Sequence, residues 1–206
     1  MPMIREVVVT TIDVAGEVHI APFGLIEEGQ YWVIAPCHPS KTFDNLRQVP
    51  CAVVNYTDDV RIFAGALTGR RHWPVTPLGN FPVPRLAIAL AHAELHVDRI
   101  EDHPERPRFL CRAKKIEQHA PFRGFNRAKA AVLELAILAS RLDFLPRDKL
   151  EREIDYLKIT IDKTAGPEER EAWGWLMQKV AECCRVEKQG EAGNGQNAEG
   201  GLSVRG

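Results

Sequence analysis

The stretch IREVVVTTIDVAGEVHIAPFGLI, residues 4–26, carries the fold in its pattern. Ile4 to Ile12 is rich in Val, Ile and Thr, whose branched side chains suit a pleated surface. Ala15-Gly16-Glu17 supplies a turn and Val18 to Ile26 resumes the extended pattern, so the stretch predicts a β-hairpin. Working outward, Glu27-Glu28-Gly29-Gln30 predicts a second turn into a strand over Tyr31–Ala35, and Cys51–Asn55 reads as a short buried strand. His72–Pro84 holds four prolines and reads as a long irregular loop that packs its own apolar side chains. Arg85–Ala91 is rich in Ala and Leu and reads as a short helix. Beyond it Ala93, Leu95 and Val97 alternate with polar neighbours as a strand, and Phe109–Ile116 is bounded by prolines as a last one. About six strands, mostly antiparallel, predict a closed barrel.

A second architecture follows. Twelve of the 14 prolines and all seven histidines precede Gly124, whereas Phe125 to Glu187 holds only Pro146 and Pro167. Asn126 is a favourable N-cap for a helix over Arg127–Leu142, apolar nearly all round, and further helices are predicted over Asp148–Asp162 and Glu168–Val186. The segment from Lys188 holds six of the 15 glycines and no aromatic residue, and cannot bury enough surface to offset its ordering entropy. The expected organisation is therefore a barrel over residues 1–122, a helical subdomain over 123–187 packed on the barrel or on a second subunit, and a disordered tail over 188–206.

Composition narrows the function. With 45% hydrophobic and 27% charged residues the chain has a globular composition, and 27 basic against 28 acidic residues leave a net charge of −1. That balance gives no footprint for nucleic acid or an anionic membrane. Five cysteines are an odd number and too few for a disulfide framework, so a reducing cytoplasm is expected. Met1 to Ile12 lacks the uninterrupted apolar run of a signal peptide or membrane span.

Three groups of residues could carry chemistry. Ser40, Lys41, Thr42 and Asn45 fall where a strand gives way to a short helix before Pro50, and a helix N-terminus with a lysine beside it suits a phosphate. The same spacing is satisfied if Ser40 or Thr42 simply caps the helix and Lys41 is solvated. His19-Ile20-Ala21-Pro22-Phe23-Gly24 interrupts its strand with a proline and ends on glycine, as at a sheet edge where backbone approaches a flat ligand, or at a simple strand irregularity. Arg127, Glu134 and Arg141 recur every seven residues on one helix face, as a buried ion-pair array or with Arg127 as an anion ligand at the exposed helix start. His92 and His96 lie on a strand rather than a helix and are expected to face solvent. No metal site and no hydrolase triad is expected.

Arg5-Glu6-Val7-Val8-Val9-Thr10-Thr11, Ala21-Pro22-Phe23-Gly24, Ser40-Lys41-Thr42 with Asn45-Leu46, Val53-Val54-Asn55 with Asp58-Asp59, and Phe125-Asn126-Arg127-Ala128 with Glu134 and Ser140-Arg141-Leu142 resemble an uncharacterised family. That family belongs to the FMN-binding split-barrel, flavin-reductase-like superfamily and is found chiefly in methanogenic archaea and methylotrophic bacteria. The resemblance covers residues 4 to 186. It implies a mainly β fold with α additions: a six-stranded antiparallel Greek-key split β-barrel followed by helices, forming a homodimer with one FMN in each interfacial cleft. By the same resemblance Ser40, Lys41, Thr42 and Asn45 hold the phosphate, Ala21, Pro22, Phe23 and Gly24 line the isoalloxazine ring, and Asn55 and Arg127 join the cofactor set. His19 stands where relatives commonly carry Asn. The implied function is an FMN-dependent oxidoreductase taking NAD(P)H or another small redox substrate, set in methanopterin-linked one-carbon metabolism. A non-catalytic FMN-binding or assembly protein is the alternative, and no catalytic side chain is assigned.

Overall fold

A computed structural model describes the backbone of residues 2–195 and the side chains through Cys183, together with Arg185. Six strands form a closed antiparallel barrel in the order β1-β2-β3-β8-β7-β4: β1 Met3–Ile12, β2 Val18–Glu28, β3 Tyr31–Ile34, β4 Cys51–Tyr56, β7 Ala91–Glu101 and β8 Arg108–Gln118. The opening hairpin pairs without a register shift from Met3↔Glu27 to Ile12↔Val18. Gly16 turns it at φ 84°, a conformation a Cβ would strain. Alternation then sorts the side chains. Val7, Val9, Leu25, Val54, Leu95 and Phe109 point inward as the barrel core, while Val8, Ile20, Val53 and Asn55 point outward.

Three additions pack on the barrel, two of them over the outward residues. A helix, α1 Lys41–Gln48, connects β3 to β4, and a second, α2 Arg61–Leu67, follows β4 and lays Ile62 and Phe63 on Val8 and Ile20. The sequence reading had no element at 61–67. The third addition replaces the expected loop over His72–Pro84 with a hairpin, β5 Val75–Leu78 and β6 Phe81–Leu86. Its prolines are tolerated because each strand of a two-stranded ribbon has an edge with no ladder bonds to lose. The helix expected over Arg85–Ala91 is also absent. Leu86 is buried at the end of β6, its N–H donates to Asn55 Oδ1 at 2.7 Å, and a turn leads into β7. Tertiary contact outweighs local propensity there.

The C-terminal part is helical, as expected: α3 Arg127–Ala139, a 3₁₀ turn over Leu142–Phe144, α4 Arg147–Thr164 and α5 Pro167–Gly195. Asn126 caps α3, its Oδ1 accepting from Ala128 N at 2.8 Å. Residues 188–195, expected in the tail, continue α5. The rest of that expected tail, 196–206, lies outside the described residues. Ala128, Val132, Leu135, Ile154, Ile161, Ala172 and Leu176 form the helical core. Val60 and Ala64 join it from the barrel half of the chain, so α2 is shared between the two parts. Arg127, Glu134 and Arg141, expected as a buried ion-pair array, are instead exposed, because α4, α5 and α2 cover the opposite face of α3.

Candidate functional site

The site begins at a gap in the barrel. β3 is only four residues long and pairs with β2 at Ile26, Glu27 and Glu28 alone, so residues 18–25 of β2 pair only with β1 among the described residues. Their outward-directed backbone groups form a free edge with hydrogen-bonding capacity to spare. Pro22 sits on this edge with no bulge in the register, and Pro is accepted there because it has no N–H to leave unpaired. Phe23 packs into the barrel core, so it presents backbone rather than its ring to the edge.

One end of this edge is electropositive. Ser40 caps α1, its Oγ accepting from Phe43 N at 3.3 Å, and the amides of Lys41 and Thr42 have no partner among the described residues. His19 lies at the same end, half-buried. Its pKa falls below the usual imidazole value, first through burial and then through the positive charges of Arg71 and Lys41. The charges of both cations are thus felt at His19 from different elements. Lys41 Nζ donates to Asp13 Oδ2 at 2.8 Å, and Arg71 has no ion pair or hydrogen bond among the described residues. Arg71 was missed by sequence reading, although the triplet Arg70-Arg71-His72 is a local basic signal. Beside it, Val18, Ile20, Arg71, Trp73 and Val75 line a groove of ≈ 340 Å³.

Three residues of the expected cofactor set are not brought to this end in a usable state. Asn45 is fully buried and gives its Nδ2 to Thr11 Oγ1 at 3.0 Å, while its Oδ1 is an acceptor, which an anion does not want. Asn55 is also buried and spent. Its Nδ2 donates to Val8 O at 3.1 Å and its Oδ1 accepts from Leu86 N, which fastens the β5–β6 hairpin to the barrel. Arg127 is exposed at the start of α3, two residues before Lys129, which pairs with Asp58 beyond the end of β4. The register puts that end of β4 at Val8, away from the Thr11↔His19 end of the hairpin. Thr42 is at the helix start as expected and only 2% exposed.

A separate polar cluster lies on β7. His92, expected to face solvent, is 0% exposed, because the β5–β6 hairpin and its following turn cover the outer face at Asn55 and Leu86. Its Nδ1 stands 2.7 Å from His119 Nε2, and its Nε2 has no hydrogen bond and lies 3.7 Å from Glu94. Burial, and then the charge of His119, push its pKa below the usual imidazole value.

Comparison with known proteins follows the fold. A crystallised FMN-bound protein of Methanosarcina mazei superposes with a TM-score of 0.73 at 18% identity, over 87% of this chain and 96% of that one. The 2-nitrobenzoate 2-nitroreductase of Pseudomonas fluorescens superposes with a TM-score of 0.50 at 22% identity, over 58% of this chain and 66% of that one. Both likenesses establish the split-barrel fold. No curated protein matches the chain. The N-terminal model of the family described as protein of unknown function (DUF447) matches residues 5–120, and the companion model of the same family matches residues 126–178, so the chain belongs to the DUF447 family.

Proposed function

We propose that this protein is an FMN-binding flavoprotein, with the phosphate at the start of α1 and the isoalloxazine ring along the free edge of β2. The observation that carries the reading is the continuity of these two features. From His19 to Gly24 the edge extends about 16 Å at the strand rise of roughly 3.3 Å per residue, with cations at one end and unpaired backbone beside Ala21–Gly24 at the other. That matches a ligand with a dianionic end and a flat ring bearing donors and acceptors. The FMN-bound relative with the same fold supports it.

Ser40, the amides of Lys41 and Thr42, and the side chains of Lys41 and Arg71 would hold the phosphate, with His19 beside them. Bound FMN supplies hydride or electron transfer, and the protein's part is to orient the ring and exclude water. The chain has no glycine-rich dinucleotide fingerprint, so NAD(P)H or another small redox substrate would bind by contact in the cleft. Its setting in a reducing cytoplasm accords with Cys37, Cys51 and Cys111 being thiols. Among the described residues no helix is long and apolar enough to cross a membrane. The methanopterin-linked setting rests on family resemblance alone.

The same reading makes the protein a homodimer with FMN at the interface. The apolar face of α3 does not drive it, being covered within the chain. Exposed apolar residues available to such an interface include Met3, Ile4, Phe122 and Phe125, which are 56–100% exposed. Light scattering at micromolar concentration should give twice the chain mass, and a monomer would remove the interfacial placement.

The phosphate assignment is tested with FMN and riboflavin, which share the ring and differ in the phosphate. Lys41→Ala removes one charge-assisted contact, which should weaken FMN by about 1.5–3 kcal/mol, or roughly one to two decades. Riboflavin should bind the variant as it binds the parent. Equal weakening of both ligands, measured by flavin fluorescence titration, would mean that Lys41 supports the fold or the ring. NAD(P)H turnover by the FMN-loaded protein no faster than free flavin would favour the non-catalytic binding alternative.

A further inference from the structure

Glu6 is one of the residues by which the sequence resembles its family, yet the flavin reading gives it no task. It lies on the outward face of β1, opposite Gly24 and next to the pair Val8↔Pro22. Its neighbour Arg5 points to the other face and is taken by Glu27. Other carboxylates around the barrel are held in the same way: Glu28 by Arg108, Asp59 by Arg61, Asp98 by Arg112. Glu6 has no hydrogen bond or ion pair among the described residues. Gly24 has no side chain to cover it, and a Cβ there would come within 2.9 Å of Ile4 Cγ2 and 3.8 Å of Glu6 Oε1.

Glu6, itself exposed, lines a cavity of ≈ 230 Å³ between the sheet and the helices. Pro22 joins Glu6 as its floor, Phe63 and Ala66 of α2 form one wall, and Leu133 and Ile137 of α3 form the other. Ser140 stands at the rim with its hydroxyl committed to Ile137 O at 2.7 Å. Glu6 is thus the one charged side chain lining an otherwise apolar space. Glu6 is solvent-exposed where it meets these apolar walls, a placement that suits a ligand with an apolar body inside the cavity and a cationic or N–H-donating end at its mouth. Pro22 is also part of the edge assigned to the flavin ring, so the cavity adjoins that site.

We infer that this cavity is the second-ligand subsite of the flavin site. It takes a ring-sized apolar molecule whose amine or other N–H group meets Glu6. The inference rests on the flavin reading for its neighbour, but not for the chemistry of the cavity itself.

Benzylamine is the probe, with benzyl alcohol as its uncharged counterpart. Each is titrated into the full-length FMN-loaded protein and into the FMN-free protein, followed by calorimetry and, where FMN is bound, by the difference spectrum of the flavin band. Saturable benzylamine binding that perturbs the flavin spectrum and is stronger than that of benzyl alcohol is expected. Glu6→Gln should weaken benzylamine about tenfold while leaving FMN affinity unchanged. Ala66→Leu, at a half-buried position in the wall of the cavity, narrows it without touching the carboxylate and should weaken both probes. Absence of saturable binding overturns the inference, as does benzylamine binding indifferent to both substitutions. Glu6-dependent binding that leaves the flavin spectrum unchanged overturns the placement beside the ring. Failure of FMN itself to bind defeats the flavin reading separately, and Glu6-dependent benzylamine binding to the FMN-free protein would then still support the cavity's chemistry.

Discussion

Asp13 holds Lys41 at 2.8 Å and also accepts at its Oδ1 from the backbone N–H groups of Ala15 and Glu17, which fixes the β1–β2 turn. Lys41 and these two hydrogen bonds hold the Asp13 carboxyl below the usual carboxylate range, so it is ionised at neutral pH and competes with any anion for the lysine. Asn at this position keeps the turn acceptor and removes the competing charge. Asp13→Asn should therefore tighten FMN about three- to tenfold, a modest gain because exposed ion pairs are weak, and leave riboflavin unchanged. Weaker FMN binding in the variant would show that Asp13 orients Lys41 rather than competing for it. The pairing of Asp13 with Lys41 was invisible in sequence, since 28 positions separate them. So were the assignments of Asn45 and Asn55: both lie in short polar motifs that read equally well as ligands, and only the register shows that their amides face Thr11, Val8 and Leu86. Ser40 was legible because an N-cap is a local device.

Among the elements, the opening hairpin was readable because each apolar residue in it has an interior or a covered exterior to face. The β5–β6 hairpin was not, because its prolines signal a loop and its stability comes from Thr10, whose hydroxyl donates to Pro84 O at 2.7 Å, and from Asn55. The hidden consequence of that hairpin is His92. An imidazole left to solvent would titrate near its usual value of about 6.5, whereas the covered one, facing Glu117 of β8, His119 just beyond that strand and Glu94 of β7, is depressed. The folded state therefore binds fewer protons than the unfolded chain below that value. Stability contributed by neutral His92 is complete above about pH 6.5 and is lost as pH falls toward the depressed folded value. His19 and His119 are depressed as well and act in the same direction. The melting temperature should fall between about pH 7.5 and 5.5, and His92→Gln should flatten that slope whatever it does to the melting temperature at neutral pH. Parallel slopes for the two proteins would show that His92 is not the group being protonated.

At the scale of the whole molecule, the two architectures inferred from proline and histidine distribution are real in sequence but share a core in space. Val60 and Ala64 are carried by the barrel half and packed among Ala128, Val132 and Leu135. Around them, Arg61 is bound by Asp59 at 2.6 Å and reaches Glu168 at 3.2 Å, and Lys129 pairs with Asp58. Partly exposed pairs of this kind add specificity more than stability, so the apolar contact through α2 should carry the coupling. Its other face holds Ile62 and Phe63 against Val8 of the barrel, which makes α2 a wedge between both cores. Loosening one core should then loosen the other. Leu135→Ala removes a fully buried side chain from the helical cluster and should cost about 2–5 kcal/mol. Because α2 transmits it, hydrogen exchange should accelerate in β1 and β4 together with α3, and calorimetry should retain a single transition at lower temperature. Acceleration confined to α3, α4 and α5, or a transition split in two, would mean that the barrel and the helices are separate folding units that merely touch.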